Sequence, residues 1–203
     1  MDETIKFLRP SELKSLISVI KKDTSRHGIR NLALFSIAEY CALRVSEVQL
    51  LKVDDYCHET HEIYCHRLKG SRNNMLRIVD PEVYRPLEKY LDIKNQLYPQ
   101  SPYMFVSQYG HPISRQSVDR LMRNYCADTS ISQDKHHFHV LKHTRAVELA
   151  DYGVDIKDVQ FWLGHKNIQN TLVYMQFTTK QQEQLYWKLN KMINHKEEFL
   201  NEM

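Results

Sequence analysis

The stretch HVLKHTR, residues 139–145, places His139, Lys142, His143 and Arg145 together and contains no acid. On a helix, positions 139, 142 and 143 are related as i, i+3 and i+4, so the three side chains share one face. Two histidines at that spacing can bind zinc. Zinc-protease helices, however, carry a glutamate base between them, whereas Lys142 would repel a dication. A donor array aimed at an anion fits these residue types better.

Three further clusters carry chemistry-bearing side chains. In CALRVSEV, residues 41–48, Arg44 precedes Glu47 by three positions. In isolation such a pair is an ordinary ion pair on a helix surface. In RLKGSRNN, residues 67–74, Arg67, Lys69 and Arg72 cluster at or near a predicted turn. Edge protection and a phosphate-facing tip both account for them. In LGHKNIQNTLVYMQF, residues 163–177, His165 and Tyr174 lie nine residues apart, and the tyrosine follows a short, polar helix that would make a poor core element. Taken alone, Tyr174 reads as packing, since the chain has 12 tyrosines.

The elements that must position these groups are mostly helical. Pro10 opens a helix at its first position, with Leu13, Leu16, Ile17 and Ile20 as the apolar stripe. Helices are expected over about 30–42 and 45–51. The alternation of Ile63 and Cys65 with Tyr64 and His66, then of Leu76 and Ile78 with Arg77 and Val79, predicts a β-hairpin turning at Gly70, Asn73 and Asn74. Asp80-Pro81 starts another helix, in which Pro86 disturbs the first turns. A short strand is expected at 104–106, followed by helices over about 115–126, 138–152, 156–163 and 168–174. Gly153 closes the second of these, and Asp155 with Asp158 caps the third. A last amphipathic helix over about 180–194 has Thr179 and Gln182 as its capping box. The fold class is therefore mainly α with a small antiparallel sheet (α+β).

Composition sets the outer limits. The 203 residues suit one medium domain, 42% hydrophobic and 26% charged, with only five glycines. The net charge of +3, with histidines neutral, is a weak argument for a polyanionic partner, so local placement must carry that claim. Cys41, Cys57, Cys65 and Cys126 form no CxxC pair, and no leader or long apolar run is apparent. The expectation is a cytoplasmic protein with buried or idle thiols.

The order of the clusters is more specific than any one of them. An arginine in LRxSE, a lysine in a hairpin turn, HxLKHT, LGH and then a tyrosine nine residues on resemble the catalytic domain of tyrosine recombinases, the phage-integrase family. The resemblance runs from about residue 8 to 177. ISRQSV near the middle and the compact length look most like short single-domain members such as fimbrial phase-switch invertases. It implies a catalytic domain over 1–177, a C-terminal helix over 178–203 that exchanges between protomers or packs on its own domain, and no separate N-terminal DNA clamp.

Carried over residue by residue, the resemblance gives Tyr174 as the nucleophile on a DNA phosphodiester, leaving a 3′-phosphotyrosine and a 5′-hydroxyl. Arg44 grips the scissile phosphate, Lys69 protonates the leaving 5′-oxygen, His139 assists proton transfer at the tyrosine, and His165 hydrogen-bonds the phosphate. Glu47 orients the arginine. No cofactor is implied, neither ATP nor metal, because the covalent link conserves the phosphodiester. The chemistry agrees: a pentacoordinate phosphate gains negative charge and calls for convergent donors, and a phenol of pKa near 10 needs a base or an electropositive site.

Lys142 departs from the usual arginine and supplies a rotatable point charge in place of a planar fork, with His143 or Arg145 as compensating groups. The expected partners are double-stranded DNA, contacted by Arg72, Arg115, Arg120 and Lys166, further copies of the chain in a tetrameric synapse, and accessory DNA-bending proteins. The rivals are a relaxing enzyme of the type IB topoisomerase class and a DNA-binding regulator with a vestigial site.

Overall fold

The computed structural model describes residues 5–68, 70–176, 186, 187 and 190. Its centre is a helix buried on nearly every side. α1 (Pro10–Lys21) leads into α2 (Gly28–Tyr40), whose Ala33, Leu34, Phe35, Ile37 and Ala38 are all shut from water. α2 packs against α1, against α4 (Pro81–Leu97) and against α6 (His139–Asp151). α2 is a core element, buried almost all round, with Arg30, Asn31, Ser36 and Glu39 as the polar groups it takes inside.

Between α2 and α4 lie the one-turn helix α3 (Val45–Val48) and a three-stranded antiparallel sheet. The sheet runs β1 (Tyr56–Cys57), β2 (Glu62–Cys65), β3 (Asn74–Arg77), and β2 pairs with β3 through Ile63↔Leu76 and Cys65↔Asn74. The expected hairpin is therefore present, with Ile63, Cys65 and Leu76 turned to the core. β1 was not expected. It is two residues long and joins β2 through a turn in which His61 takes φ 54°.

The expected strand at 104–106 does not form. Met104, Phe105 and Val106 are buried, but side chains and loops hold them instead of a neighbouring strand. The Val106 amide donates to the Tyr90 hydroxyl, its carbonyl accepts from Arg30 Nη1, and the Met104 amide donates to Leu51. Only isolated bridges, Lys52↔Tyr103 and Val106↔Pro112, remain. α4 runs unbroken through Pro86, and Asp80 caps it by accepting from the Glu82 amide.

The other half of the molecule comprises α5 (Arg115–Ala127), α6, α7 (Ile156–Leu163) and α8 (Gln169–Met175). Asp155 caps α7 by accepting from the Lys157 amide, and Gly164 ends it at φ 67°. Cys41, Cys65 and Cys126 are buried and Cys57 is exposed, all as free thiols. No helix among the described residues is long and apolar enough to cross a membrane. Of the helix expected at 180–194 only residues 186, 187 and 190 are described, all helical; its capping box lies outside the described residues.

Candidate active site

Arg44 is aimed by a strained turn. Ala42 adopts φ 52°, a left-handed conformation that costs a residue with a Cβ about 1 kcal/mol. That reversal ends α2 and makes Arg44 the first residue of α3's cap. Glu47, wholly buried, then receives the Arg44 amide at 2.9 Å and Arg44 Nη1 at 2.7 Å. The same carboxylate accepts the Leu68 amide at 3.1 Å and lies 3.5 Å from Arg67 Nη1. Burial pushes the Glu47 acid up, but the Arg44 amide, the charge of Lys142 and the Leu68 amide outweigh it and hold the group below the ordinary carboxylate range. Glu47 is thus a fixed negative charge that keeps the guanidinium in place.

The hairpin folds back over this pair. Arg67, one of the three cations placed near the tip, is turned inward instead. Its guanidinium donates to the carbonyls of Cys41, Ala42 and Trp162 and to Asn74 Oδ1, at 2.8–3.1 Å. Arg72 stays exposed, while its amide donates to the Gly164 carbonyl at 2.8 Å and so pins the hairpin to the end of α7. A side chain at Gly164 would meet the Arg72 carbonyl at 2.6 Å, so this close approach needs glycine. Lys69 lies outside the described residues. Its neighbours bring the tip to the site: Leu68 binds Glu47, and Ser71 Oγ is 3.5 Å from Arg44 Nη1.

α6 supplies the facing wall. Lys142 is 1% exposed and donates to the Leu163 carbonyl at 3.2 Å. Burial, then the charges of Arg44 and Arg67, lower its pKa to about 7 against the pull of Glu47. His143 Nδ1 lies 2.9 Å from the Tyr174 hydroxyl, and the His139 ring meets the His143 ring edge-on at 4.5 Å. His165 Nδ1 bonds Thr171 Oγ1 at 3.0 Å, and its ring lies nearly parallel to Tyr174. Desolvation and the surrounding cations and histidines depress all three histidines, His143 to about 3 and His139 and His165 to about 4. All three are therefore neutral at pH 7. Burial raises Tyr174 to about 12 in spite of Arg44. A neutral His143 can accept the tyrosine proton at Nδ1 only as the Nε2–H tautomer.

A cleft of about 730 Å³ opens beside this cluster, lined by Arg44, Ser46, Arg115, Arg123, His137 and His139 among others. Arg115 lies in it, exposed and 3.8 Å from Asp119, and Lys166 is exposed next to His165. Arg120 lines a different cavity of about 920 Å³ between α1, α2 and α5, with Asp23, Arg30 and Tyr125. That cavity is the larger, but it holds none of the other site residues. Positions 115 and 120 are five apart on α5, which turns their side chains about 140° from each other. Arg123 and His137 were missed by the sequence reading. Arg123, two turns on from Arg115 along one helix face, was the signal.

A phenol on a neutral imidazole, ringed by cations whose one carboxylate is already committed, is suited to attack on an anionic ester. The model of the phage integrase family matches residues 6–181. The chain belongs to the phage integrase family. It is 32% identical over 170 residues to the type 1 fimbriae regulatory protein FimB of Escherichia coli K12, covering 83% of this chain and 82% of FimB. It is 29% identical to the tyrosine recombinase XerA of Pyrococcus furiosus, covering 93% of this chain and 63% of that protein. The crystal structure of XerA recombinase superposes with a TM-score of 0.76 at 27% identity, over 90% of this chain and 64% of that one. A XerH recombinase structure matches with a TM-score of 0.78 at 23% identity, a likeness of fold. The phage-integrase fold, mainly helical around a small antiparallel sheet, is thus established for this chain.

Proposed function

We propose that this family member is a site-specific DNA recombinase that cleaves one strand through Tyr174. The observation that carries the reading is the 2.9 Å contact of the Tyr174 hydroxyl with His143, set among Arg44, Lys142 and His165. Tyr174 Oη attacks the scissile phosphorus and passes its proton to His143. The 5′-oxygen departs with a proton from Lys69, and reversal on a second DNA end rejoins the strand. That contact supports His143, in place of the expected His139, as the proton acceptor, with His139 at the cleft mouth as a phosphate donor. Arg44 and Lys142 neutralise the charge that builds on the nonbridging oxygens, and neutral His165 hydrogen-bonds the phosphate.

Duplex DNA lies along the cleft that holds Arg115 and Arg123, with Arg72 and Lys166 at its borders. A tetrameric synapse with accessory DNA-bending proteins completes the proposal. A second reading, a DNA-binding regulator without cleavage, is favoured by one feature: a lysine, 1% exposed, stands at position 142 and offers a point charge in place of a planar phosphate fork.

The deciding experiment first recovers the DNA bound in cells. A nicked duplex of that site is then incubated with wild type and Tyr174→Phe. A covalent protein–DNA adduct seen only with wild type is the expected outcome. Specific binding without adduct from wild type leaves the regulator, and relaxation of supercoils without joining of paired sites leaves the topoisomerase-like activity.

A further inference from the structure

Three buried or half-buried cations, Arg44, Arg67 and Lys142, share one carboxylate, Glu47. Glu47 is already committed: both its oxygens serve Arg44, and one each serves Leu68 and Arg67. Lys142 forms no ion pair among the described residues, and the Leu163 carbonyl at 3.2 Å takes one of the three protons an ammonium would offer. The groups that act on it come from every side. Arg44 and Glu47 flank it from the turn after α2 and from α3, and Arg67 and Cys65 from the hairpin. His139 and His143 on its own helix and His165 after α7 feel its charge in turn, and His143 links them to Tyr174. None of these groups neutralises it.

A lysine in such a place has a choice that an arginine lacks. It can lose its proton and sit as a neutral amine, whereas a guanidinium stays charged at any pH a protein meets. We propose that Lys142 gives up its proton readily in the DNA-free site and takes one up from solvent when the DNA phosphate enters, so that phosphate engagement and protonation are one coupled event. The inference rests on the recombinase reading of the site. The bound phosphate supplies the negative charge that Glu47 cannot spare, and the amine becomes an ammonium beside it.

Burial and Arg44 place the free amine's midpoint at about 7. Above that midpoint the proton must be drawn from a thinner supply, so productive binding weakens by up to about tenfold per pH unit. The site closes down as the medium turns alkaline, and a chain with arginine at this position has no such limb.

Two measurements on the full chain test this. Carbon-13 NMR of lysine-labelled protein follows the Lys142 Cε resonance, assigned by its loss in Lys142→Arg, and is expected to titrate near neutrality without DNA. Single-turnover adduct formation is then measured from pH 6 to 9, using subsaturating nicked duplex of the recovered site. The wild-type rate is expected to fall through an inflection near neutrality that Lys142→Arg does not show, whatever the absolute rate of the variant. A resonance that stays that of an ammonium to pH 9, or adduct rates that change in parallel in both proteins, overturns the coupling alone, because adducts still form. Adducts from neither protein at any pH overturn the recombinase reading, and the coupling with it.

Discussion

The base of the hairpin and the wall made by α6 each contain a buried cation beside Glu47, and the two are built in opposite ways. Arg67, at the hairpin base, spends its guanidinium on three carbonyls and the Asn74 amide oxygen, drawing the end of α2, β3 and the end of α7 onto one group. Lys142, on α6, has the Leu163 carbonyl and no acid of its own. A cation whose donors are all used is part of the framework and has nothing left to offer a ligand. One held short of partners is destabilising in the free protein, and that deficit is what a phosphate can fill. The same contrast separates the rigid support of the site from its working face.

The largest expected effect tests the support. Arg67→Ala takes the side-chain donor from the Cys41 and Ala42 carbonyls and from Asn74 Oδ1 in a dry place, while the Trp162 carbonyl keeps Asn74 Nδ2 and Glu47 keeps Arg44 and Leu68. It should cost about 3–5 kcal/mol, a fall of roughly 10 °C in the thermal midpoint for a chain of this size. Arg67→Lys should recover little, since one ammonium cannot span acceptors on three elements. Thermal unfolding of both variants checks this. A loss under 1 kcal/mol for Arg67→Ala would mean that the hairpin base is held by packing alone, and the contrast with Lys142 would dissolve.

The matching change on the working face has the opposite sign. Lys142→Met should stabilise the free protein while removing cleavage. The lysine's pKa is about 7 in the fold and near 10.5 in the unfolded chain, so between those values the unfolded state binds the extra proton. Wild type therefore loses stability as pH falls from 10.5 to 7 and carries the full penalty below that. The gain of Lys142→Met should be on the order of 2 kcal/mol at pH 6 and vanish above pH 10.5. Denaturant midpoints at three pH values measure it. A destabilised variant at pH 6 would show that Lys142 is satisfied after all.

The support was partly written in local sequence and the working face hardly at all. Pro10 at a helix start, Asp155 as a cap and the alternation of Ile63 with Cys65 are signals between near neighbours, and the elements they announce are present. Arg67 could have been found the same way. It continues the inward face of Ile63 and Cys65 at a spacing of two, so its side chain had to enter the core, but its charge suggested an exposed tip. The strand expected at 104–106 failed because apolar runs do not reveal whether a neighbouring strand or side chains such as Tyr90 and Arg30 will hold the backbone. Which histidine on α6 reaches Tyr174 depends on how α8 docks, and no spacing within α6 carries that. The isolation of Lys142 was equally hidden, because it depends on how Glu47, 95 positions away, divides its oxygens.

The contrast extends in weaker form to the surface of α5. Arg115 shares a cleft with Arg44, whereas Arg120 faces the cavity between α1, α2 and α5, which Asp23 and Asp128 also line. If DNA follows the cleft, Arg115→Ala removes one phosphate contact. Affinity for a duplex should drop a few-fold, and the slope of log affinity against log salt should become shallower by about one. Arg123→Ala, on the same face, should behave alike. Arg120→Ala should leave both affinity and slope in place, since its guanidinium faces the other cavity, away from the cleft, and would meet no phosphate there. Fluorescence anisotropy across a salt series reads both quantities on any duplex, so the test does not wait for the specific site. Equal losses from Arg115→Ala and Arg120→Ala would mean that DNA spans both faces of α5. The working surface would then be wider than the cleft, and the line between framework and site would have to be drawn inside α5 instead of at its edge.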